Sequence, residues 1–493
     1  MNFLNKNILK LALPSILANI TIPIVGMVDI AIAGHLDSMS GESAMMIGGI
    51  TIGSMIFDLL YWSFGFLRAG TGGLTAQAYG RKDFKSAADT FARSACIAVV
   101  SSLFLIAIQW IVVQLVFAIV VCSPETQALA TQYFYTRIWA APAALTLMAI
   151  KGWFIGMQDT VSSMLTDLTV VGVNVVASLL LAFGFGAGIG IGSGVGAGAG
   201  VGAGIGSGIG SGFGSWEGIG YLGIPVGTVI AQYAGLLLAV LIIRKKYFSA
   251  VFQHYTLRHA LRVFYNPGTK LFFKTNGDLF VRSLCFAGVY MGFTTLSARY
   301  GDMALASSAI IMKLMLFFSY FTDGFAYAGE AMTGRFFGEE NPVLIRRTIK
   351  TTFAWSMSIA GLFVLINGVF AYPLFNMMTS DAAIVDFSGK FIIWMLLVPI
   401  FGCPAFVWDG IFVGATYTKE MRNSAILSVV AFYIVWFGLG LPLGVVQETG
   451  AVNEVPALHL LLLAYTAHLL VRAVYQTAVY AQKKGAFQVL SHK

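Results

Sequence analysis

The feature that most constrains this fold is a series of about twelve long apolar runs separated by short polar breaks. A helix that crosses a bilayer needs roughly 20 mostly apolar residues, because its backbone polar groups must be bonded within the helix. We predict helices at about 8–34, 44–68, 93–121, 133–157, 160–185, 217–243, 271–297, 303–329, 351–378, 387–414, 423–446 and 456–480. Because 58% of the residues are hydrophobic and 11% are charged, an ordinary soluble domain is excluded. The predicted fold is an all-α integral membrane protein.

The basic residues indicate which ends of these helices face the cytoplasm. If the N-terminus is cytoplasmic, both termini and the loops after the even-numbered helices hold most of the 30 Lys and Arg residues. Cytoplasmic loops of membrane proteins are enriched in this way. We therefore predict a multi-pass protein of a bacterial inner membrane with both termini in the cytoplasm. The net charge of +8 follows the loops and no single face, so a nucleic-acid partner is not expected.

An internal repeat divides the chain into two halves. Gly80 in "AQAYGRKD" matches Gly338 in "GRFFGEEN", and the two glycines of "KGWFIG" match those of "DGIFVG", all at one offset of 258 residues (338 − 80). Chance recurrence in a glycine-rich chain is the alternative. A duplicated unit with an even number of spans keeps its orientation. The repeat therefore predicts two pseudo-symmetric six-helix bundles around a central cavity.

Composition places the boundaries of these halves. We predict an N-lobe at 1–243, a basic cytoplasmic linker at 244–270 and a C-lobe at 271–493. Within the N-lobe, glycine occupies nearly every second position over about 186–214, which leaves little side chain to pack. We interpret this tract as a flexible periplasmic insertion.

Ionisable residues inside apolar runs are costly unless they are paired or hydrated, and they commonly mark ion or substrate pathways. Asp29 lies deep in the first run, in "PIVGMVDIAIAG", with no cation beside it in the sequence. Pro14 and Pro23 in the same run remove backbone donors and favour bending. A charge change at Asp29 would thus act on a deformable helix. A structural Asp, satisfied by neighbouring hydroxyl or amide groups, is the alternative.

Other charges of the membrane runs have less certain roles. Asp58 lies near the middle of the second helix, and Lys151, at the end of the fourth, can approach an acid of its own half or snorkel to the interface. Asp278 and Arg282 are four residues apart, which predicts an internal salt bridge. The remaining candidates for cavity charges are Asp323 and Glu330 on the eighth helix, with Lys313 as a possible partner, and Asp409, which matches Lys151 at the repeat offset.

The motifs of metal, phosphate and acyl-transfer chemistry are missing from the sequence, which has no HExxH, no P-loop and no GxSxG. We therefore predict neither an enzyme nor a resident metal or cofactor. A channel or an intramembrane enzyme is the alternative of another class, and the two-lobe repeat disfavours both.

Five strings together resemble the multidrug and toxic compound extrusion (MATE) family, specifically its DinF-like branch. They are "LALPSILANITIPIVGMVDIAIAGHL", "FGFLRAGTGGLTAQAYGRKD", "KGWFIGMQDT", "DGFAYAGEAMTGRFFGEEN" and "DGIFVGATYTKEMRNS". The resemblance implies a two-lobe antiporter, expected to be a monomer, that exports organic cations or amphipathic compounds in exchange for protons or sodium. A lipid-linked oligosaccharide flippase shares this architecture and is the alternative transporter, but it would be expected to have a strongly cationic cavity.

The resemblance also implies roles for individual residues. It makes Asp29 the coupling acid and Pro14 the helix-bending proline, and it places an Asn and an Asp four residues apart on the fifth helix. Here the Asn is Asn174, but the second position is Ser178. A sodium ion needs several oxygen ligands, so the missing carboxylate favours proton coupling over sodium coupling.

Overall fold

The computed structural model describes most of the chain. The described residues are 3–36, 43–118, 120, 122–185, 216–253, 255, 259, 262–266, 268–379, 381–445 and 454–483. The predicted glycine insertion at 186–214 lies outside them. Its described flanks, Gly184–Phe185 and Trp216–Glu217, form a short antiparallel pair of strands. The linker between the predicted lobes is described only in part.

Twelve helices of the described chain are long and apolar enough to cross a membrane, which confirms the predicted all-α architecture. We number them span 1 to span 12. Their bounds are Phe3–Leu36, Met45–Gly80, Phe84–Ala107, Pro124–Gly156, Thr160–Phe183, Gly220–Lys246, Gly268–Ala298, Asp302–Gly338, Pro342–Met378, Ile392–Gly414, Thr418–Gly440 and Glu454–Gln482.

Some spans contain a break, and a few short helices lie between spans. Span 2 consists of helices Ser43–Ser63 and Gly65–Gly80, and span 4 of Pro124–Arg137 and Ala141–Gly156 joined by a 3₁₀ turn. Short helices at Gln109–Phe117 and Ala382–Gly389 precede spans 4 and 10. A π turn, Phe248–Phe252, and a 3₁₀ turn, Val263–Tyr265, lie between spans 6 and 7.

The predicted helix ends are the main error of the sequence-based fold. Span 2 was predicted to end near 68 but continues to Gly80, and span 8 continues from its predicted end near 329 to Gly338. Hydropathy locates only the stretch inside the hydrocarbon, whereas a helix continues for as long as its backbone bonds are satisfied. Both extensions make close contacts between the lobes.

Two glycines hold the lobes together in a reciprocal contact. A methyl group built on Gly80 would lie 2.0 Å from the carbonyl oxygen of Arg335, and one on Gly338 would lie 2.2 Å from that of Gln77. Arg335 and Gln77 are themselves related by the repeat offset. Each glycine therefore lets the backbone of the other lobe approach, and the same contact is made twice.

The repeat also extends to contacts within each lobe. A methyl group on Gly152 would meet the carbonyl oxygen of Arg68 at 2.1 Å, and one on Gly410 would meet that of Ala326 at 2.0 Å. The turns after spans 2 and 8 have left-handed residues at equivalent positions, Lys82 and Glu340, and so do the turns after spans 4 and 10, at Gln158 and Thr416. The predicted pseudo-symmetric pair of six-helix bundles is present in both contacts and backbone.

Polar contacts join the lobes in the half of the molecule where span 1 begins and span 12 ends, which we call the terminal side. Gln77 donates to the carbonyl oxygen of Gly414 at 2.9 Å, and Gln158 donates to that of Ala331 at 2.7 Å. With the reciprocal glycine contact, these bonds close the terminal side. The opposite half is called the distal side.

Candidate functional site

Asp29 is a buried carboxylate with one open oxygen. It lies in the distal half of span 1, and the residue is 1% exposed. Its Oδ2 accepts a long hydrogen bond, 3.5 Å, from the hydroxyl of Tyr133 on span 4. Its Oδ1 is buried and has no hydrogen-bond partner among the described residues. A buried oxygen without a partner is unfavourable in an ionised carboxylate, and it is the atom that can take up a proton.

Arg137 supplies a positive charge near this carboxylate. Its Nη1 donates to the Tyr133 hydroxyl at 2.6 Å and to Ser54 Oγ at 3.2 Å. The guanidinium carbon also lies 4.9 Å from the centre of the Phe57 ring, in a cation–π contact. One hydroxyl group, that of Tyr133, therefore separates Arg137 from Asp29. Spans 1, 2 and 4 build the site together.

These partners of Asp29 are not among the residues predicted from the sequence. Tyr133 and Arg137 are four residues apart in one apolar run, so they share a helical face, and this spacing is the signal that was available. The contact to Asp29 joins residues 104 positions apart, and helical periodicity does not show which span faces which.

Asn174 and Ser178 make their described hydrogen bonds to span 6 and not to Asp29. Asn174 Nδ2 donates to Thr228 Oγ1 at 3.0 Å, and Ser178 Oγ donates to the carbonyl oxygen of Ile224 at 3.3 Å. Both side chains are buried. In this conformation they fasten span 5 to span 6. Their predicted part in ion coupling stays a prediction.

Pro14 lies inside span 1, which is assigned as one helix from Phe3 to Leu36 across both of its prolines. A proline at position 14 cannot donate to the carbonyl oxygen of Lys10, four residues earlier. Thr160 Oγ1 donates to that oxygen instead, at 3.5 Å. The first turn of span 5 thus takes the place of the missing backbone donor. The predicted bending at Pro14 stays a prediction.

Asp58 differs from Asp29 in that its side chain is exposed, on the surface between the lobes. It lies within electrostatic reach of Arg137 in its own lobe and of Lys313 on span 8 of the other lobe. Lys313 is exposed as well. Lys313 is a possible partner for the acids of its own span by sequence, but in the structure its charge acts on Asp58 across the lobes.

Glu330 forms an ion pair between the lobes. It is 1% exposed, and its Oε2 accepts from Arg68 Nη1 on span 2 at 3.2 Å. The Arg68 guanidinium lies 4.2 Å from the centre of the Tyr327 ring. Gly72 makes room for the carboxylate, since a methyl group there would lie 2.0 Å from Glu330 Oε1. Glu330, a candidate cavity charge in the sequence, is thus placed to fasten span 8 to span 2.

The predicted salt bridge between Asp278 and Arg282 is wrong. Asp278 accepts from Arg422 on span 11 at 2.7 Å and from the Thr418 hydroxyl at 3.2 Å. Arg282 instead pairs with Asp409 on span 10. Spacing by four residues puts two side chains on one face, but side chains of neighbouring spans reach each of them from the side and compete for the bond.

Asp409 is the fully bonded centre of a charge cluster in the C-lobe. Its Oδ2 accepts from Arg282 and, at 2.6 Å, from Arg472 on span 12, and its Oδ1 accepts from Gln476 at 2.7 Å. Both guanidinium groups also lie against the ring of Phe286, at 4.5 Å and 4.2 Å. Every oxygen of this buried carboxylate is bonded.

Two further candidates lie on the surface between the lobes. Of the two alternatives for Lys151, an acid of the same half or snorkelling to the interface, the structure shows the first, an ion pair with Asp167 on span 5. Asp323 is half-buried, and its charged neighbours are Arg68, Asp409, Arg282 and Arg472. Asp29 and Glu330 are the buried acids of the described residues that each have one carboxylate oxygen without a hydrogen-bond partner. Glu330 is paired with an arginine, whereas the one bond of Asp29 is a long bond from a neutral hydroxyl group.

Comparison with known proteins gives consistent matches. The sequence profile of the MatE family matches residues 14–180 and 279–439, once in each half. The chain is 29% identical to DNA damage-inducible protein F of Escherichia coli (strain K12) over 430 residues, 87% of this chain and 84% of that protein. It is 22% identical to multidrug export protein MepA of Staphylococcus aureus (strain NCTC 8325 / PS 47) over 482 residues, 93% of each chain.

The fold is also that of solved structures. A crystal structure of MATE in the bent conformation superposes with a TM-score of 0.77, at 14% identity, and the match covers 100% of this chain and 98% of the other. At this identity the likeness shows the fold alone. It agrees with the arrangement of two related bundles described above.

Proposed function

The chain belongs to the MATE family of multi-pass membrane transporters, which are not enzymes, and from this we propose that it is a secondary antiporter exporting organic cations or amphipathic toxic compounds in exchange for protons. The family relation supports efflux of small toxic compounds as the general activity. The finer points, which are the coupling ion, the class of substrate and the coupling residue, are our proposal. Asp29 is the proposed coupling residue.

The observation that carries the proposal is the buried, half-bonded carboxylate of Asp29. Its only described hydrogen bond is long, and its second oxygen has no described partner. Such a group gains more from protonation than a fully bonded carboxylate does, because the charged form lacks compensating donors. It lies on span 1, which contains two prolines, so a change of charge acts on a helix that can bend.

Arg137 supports the proton over sodium as the coupling ion. A sodium ion bound at Asp29 would face a guanidinium group that is only one hydroxyl group away. Repulsion between like charges opposes such binding, and a protonated, neutral carboxyl does not suffer from it. The residue expected to provide a second carboxylate is Ser178, which bonds to span 6.

The closed terminal side supports an alternating-access cycle. Since we predict that this side is cytoplasmic, the described conformation corresponds to a state open toward the periplasm. In it, protonation of Asp29 would favour release of the substrate, and opening of the terminal side would return the proton to the cytoplasm. We place the protein in a bacterial inner membrane, as a monomer with lobes at 1–243 and 271–493.

Transport in proteoliposomes tests this function. Export of ethidium would be followed by fluorescence under an imposed pH gradient and, separately, under a sodium gradient. We expect the pH gradient alone to drive transport in the wild type, and Asp29→Asn to abolish it. Asp386→Asn, which changes an exposed Asp of the short helix before span 10, is the matched control and should transport normally. Transport driven by sodium, or full proton-driven transport by Asp29→Asn, would overturn the proposal.

A further inference from the structure

Asp29 is poorly placed to bind a substrate directly. It is 1% exposed, and Tyr133 and Arg137 lie between it and span 2. Asp58 has the opposite properties. Its side chain is exposed between the lobes, and no hydrogen bond or ion pair of its carboxylate is described. A cationic substrate that enters between the lobes can therefore reach Asp58 but not Asp29, and the two sites need a connection.

Arg137 is placed to be this connection. Its Nη1 bonds both to Tyr133, the partner of Asp29, and to Ser54 on span 2. Asp58 is four residues after Ser54, on the same face of the helix and one turn along it. A guanidinium group that breaks its bonds to Ser54 and Tyr133 can therefore reach the carboxylate of Asp58, which is about 5.4 Å further along the same span. Rotation of a flexible arginine side chain covers such a distance.

Tyr61 provides a second acceptor at that alternative position. Its hydroxyl group is buried and has no hydrogen-bond partner among the described residues. It follows Asp58 by three residues and is within electrostatic reach of Arg137. An unsatisfied buried hydroxyl costs free energy, which a moved guanidinium would recover. The Asp58 carboxylate and the Tyr61 hydroxyl group therefore have no described hydrogen-bond partner in this conformation.

We propose that Arg137 is a mobile countercharge shared between Asp29 and Asp58, and that Asp58 is the carboxylate that binds the cationic substrate. This rests on the proposed function, in which Asp29 takes up the coupling proton. While Asp29 is ionised, it holds Arg137 through Tyr133, and Asp58 is free for the substrate. When Asp29 is protonated, Arg137 turns to Asp58 and Tyr61 and displaces the substrate. Binding of the proton and binding of the substrate then exclude each other, although they occur at different carboxylates.

The charged and titratable groups around the two positions are consistent with this exchange. Arg137 faces Asp29 on span 1, Asp58 and Tyr61 on span 2, and Tyr133 on its own span. Asp58 faces Arg137 within the lobe. From the other lobe it faces Lys313 and Tyr320 on span 8 and Tyr290 on span 7. Asp29 is the member of this set whose buried carboxylate has an unbonded oxygen.

Binding of radiolabelled tetraphenylphosphonium to the purified full-length protein tests the proposal over about pH 5 to 8. We expect wild-type affinity to fall as the pH falls. Asp58→Asn should weaken binding roughly tenfold or more at the high end. Asp29→Asn, which imitates the protonated state, should bind weakly at every pH. Lys390→Gln and Asp386→Asn, a cation and an acid near the start of span 10, are matched controls and should bind as the wild type does.

The decisive variant is the double substitution Asp29→Asn with Arg137→Gln. If Arg137 carries the signal, removing it restores tight binding to the Asp29→Asn protein, and Arg137→Gln alone binds tightly without pH dependence. Arg137→Lys, which keeps the charge, should retain the pH dependence. Circular dichroism and gel filtration establish that each variant is folded.

The possible failures are distinguishable. Weak binding by the double variant, equal to that of Asp29→Asn, would overturn the role of Arg137 and leave the proposed function intact. Unchanged affinity in Asp58→Asn would overturn the role of Asp58. If Asp29→Asn keeps the wild-type pH dependence and its proton-driven transport, the proposed function itself fails.

Discussion

Two buried carboxylates, one in each lobe, are bonded in opposite ways. In the C-lobe, Asp409 is held by two arginines and a glutamine, so both of its oxygens are bonded. In the N-lobe, Asp29 has one long bond and one oxygen without a described partner. A fully bonded carboxylate resists a change of charge, whereas one that lacks donors is stabilised by protonation. The geometry at Asp409 is therefore that of a structural group, and the geometry at Asp29 fits the proposed switch.

The duplication makes this difference informative. At the repeat offset, Tyr133 and Arg137 correspond to Phe391 and Met395, which are buried apolar residues. Conversely, Asp409 corresponds to Lys151, whose charge is neutralised by Asp167 on the neighbouring span. The same backbone thus carries a polar cluster in one lobe and a hydrophobic core at the equivalent place in the other. The lobes share a scaffold but not a site.

The largest effect should come from breaking the charge cluster around Asp409. Asp409→Asn leaves Arg282 and Arg472 without their shared carboxylate, and an unpaired buried charge costs about 3 to 5 kcal/mol. We expect a lower melting temperature and a lower yield of folded protein. Asp29→Asn removes a charge whose bonds are incomplete, so it should melt close to the wild type. Thermal unfolding of both variants in detergent measures the difference, and equal destabilisation would show that the two carboxylates play the same part.

The sequence was sufficient for the scaffold and for Asp29. Apolar runs of span length and glycines at one offset determine the number of helices and the pseudo-symmetry, because both signals are local or repeated along the chain. An acid inside such a run is conspicuous by its cost. Tyr133 and Arg137 could not be identified in the same way, because no local feature of the sequence shows that span 4 packs against span 1.

Pairing between spans was the hardest part to predict. Asp278 and Arg282 had favourable spacing, yet Arg422 and Asp409, more than 100 residues away in the chain, are their partners. The ion pair of Arg68 with Glu330 joins positions 262 residues apart and crosses from one lobe to the other. Such bonds depend on how helices pack side by side, and a period of 3.6 residues reports only which face a residue is on.

An intermediate effect is expected from substitutions at the reciprocal glycine contact, which the two lobes make in the same way. Alanine at Gly80 or at Gly338 places a methyl group against the backbone of the other lobe, at 2.0 Å and 2.2 Å, and overpacking of this kind costs about 1 to 3 kcal/mol. Both variants should shift the terminal side toward its open form to a similar extent, because the contact is reciprocal.

Spin labels on Lys85→Cys and Val343→Cys, exposed positions related by the repeat, report the distance across that side in a background without native cysteines. We expect longer distances in both alanine variants. Gly361→Ala, where nothing lies within 4 Å of the added methyl group, is the control and should give the wild-type distance. A response in only one of the two glycine variants would mean that the interface is asymmetric in energy despite its symmetric contacts.

The smallest effect is a pH dependence that should be stronger in one lobe than in the other. Asp159 caps span 5 in the turn after span 4, and burial alone would raise the pKa of its carboxyl. Hydrogen bonds from Lys246, Ser162 and Tyr247, each 2.6 Å long, outweigh burial and lower that pKa. The stabilisation is complete above the unfolded value of roughly 3.9 and is lost as the pH falls through the lower, folded value.

Hydrogen exchange at the amide of Ser162, which donates to Asp159, measures this loss. We expect acidification to speed exchange there, with a free-energy change of about 1 kcal/mol, the usual contribution of a helix cap. In the other lobe the equivalent position is Tyr417, which precedes span 11 without a side-chain cap. Asp278 contacts that turn at the Thr418 hydroxyl, so amide exchange in the first turn of span 11 should respond less to acid than exchange at Ser162. Asp159→Asn should make exchange in span 5 equally insensitive to acid. An equal acid response in both lobes would instead place its origin in the shared backbone, not in the carboxylate.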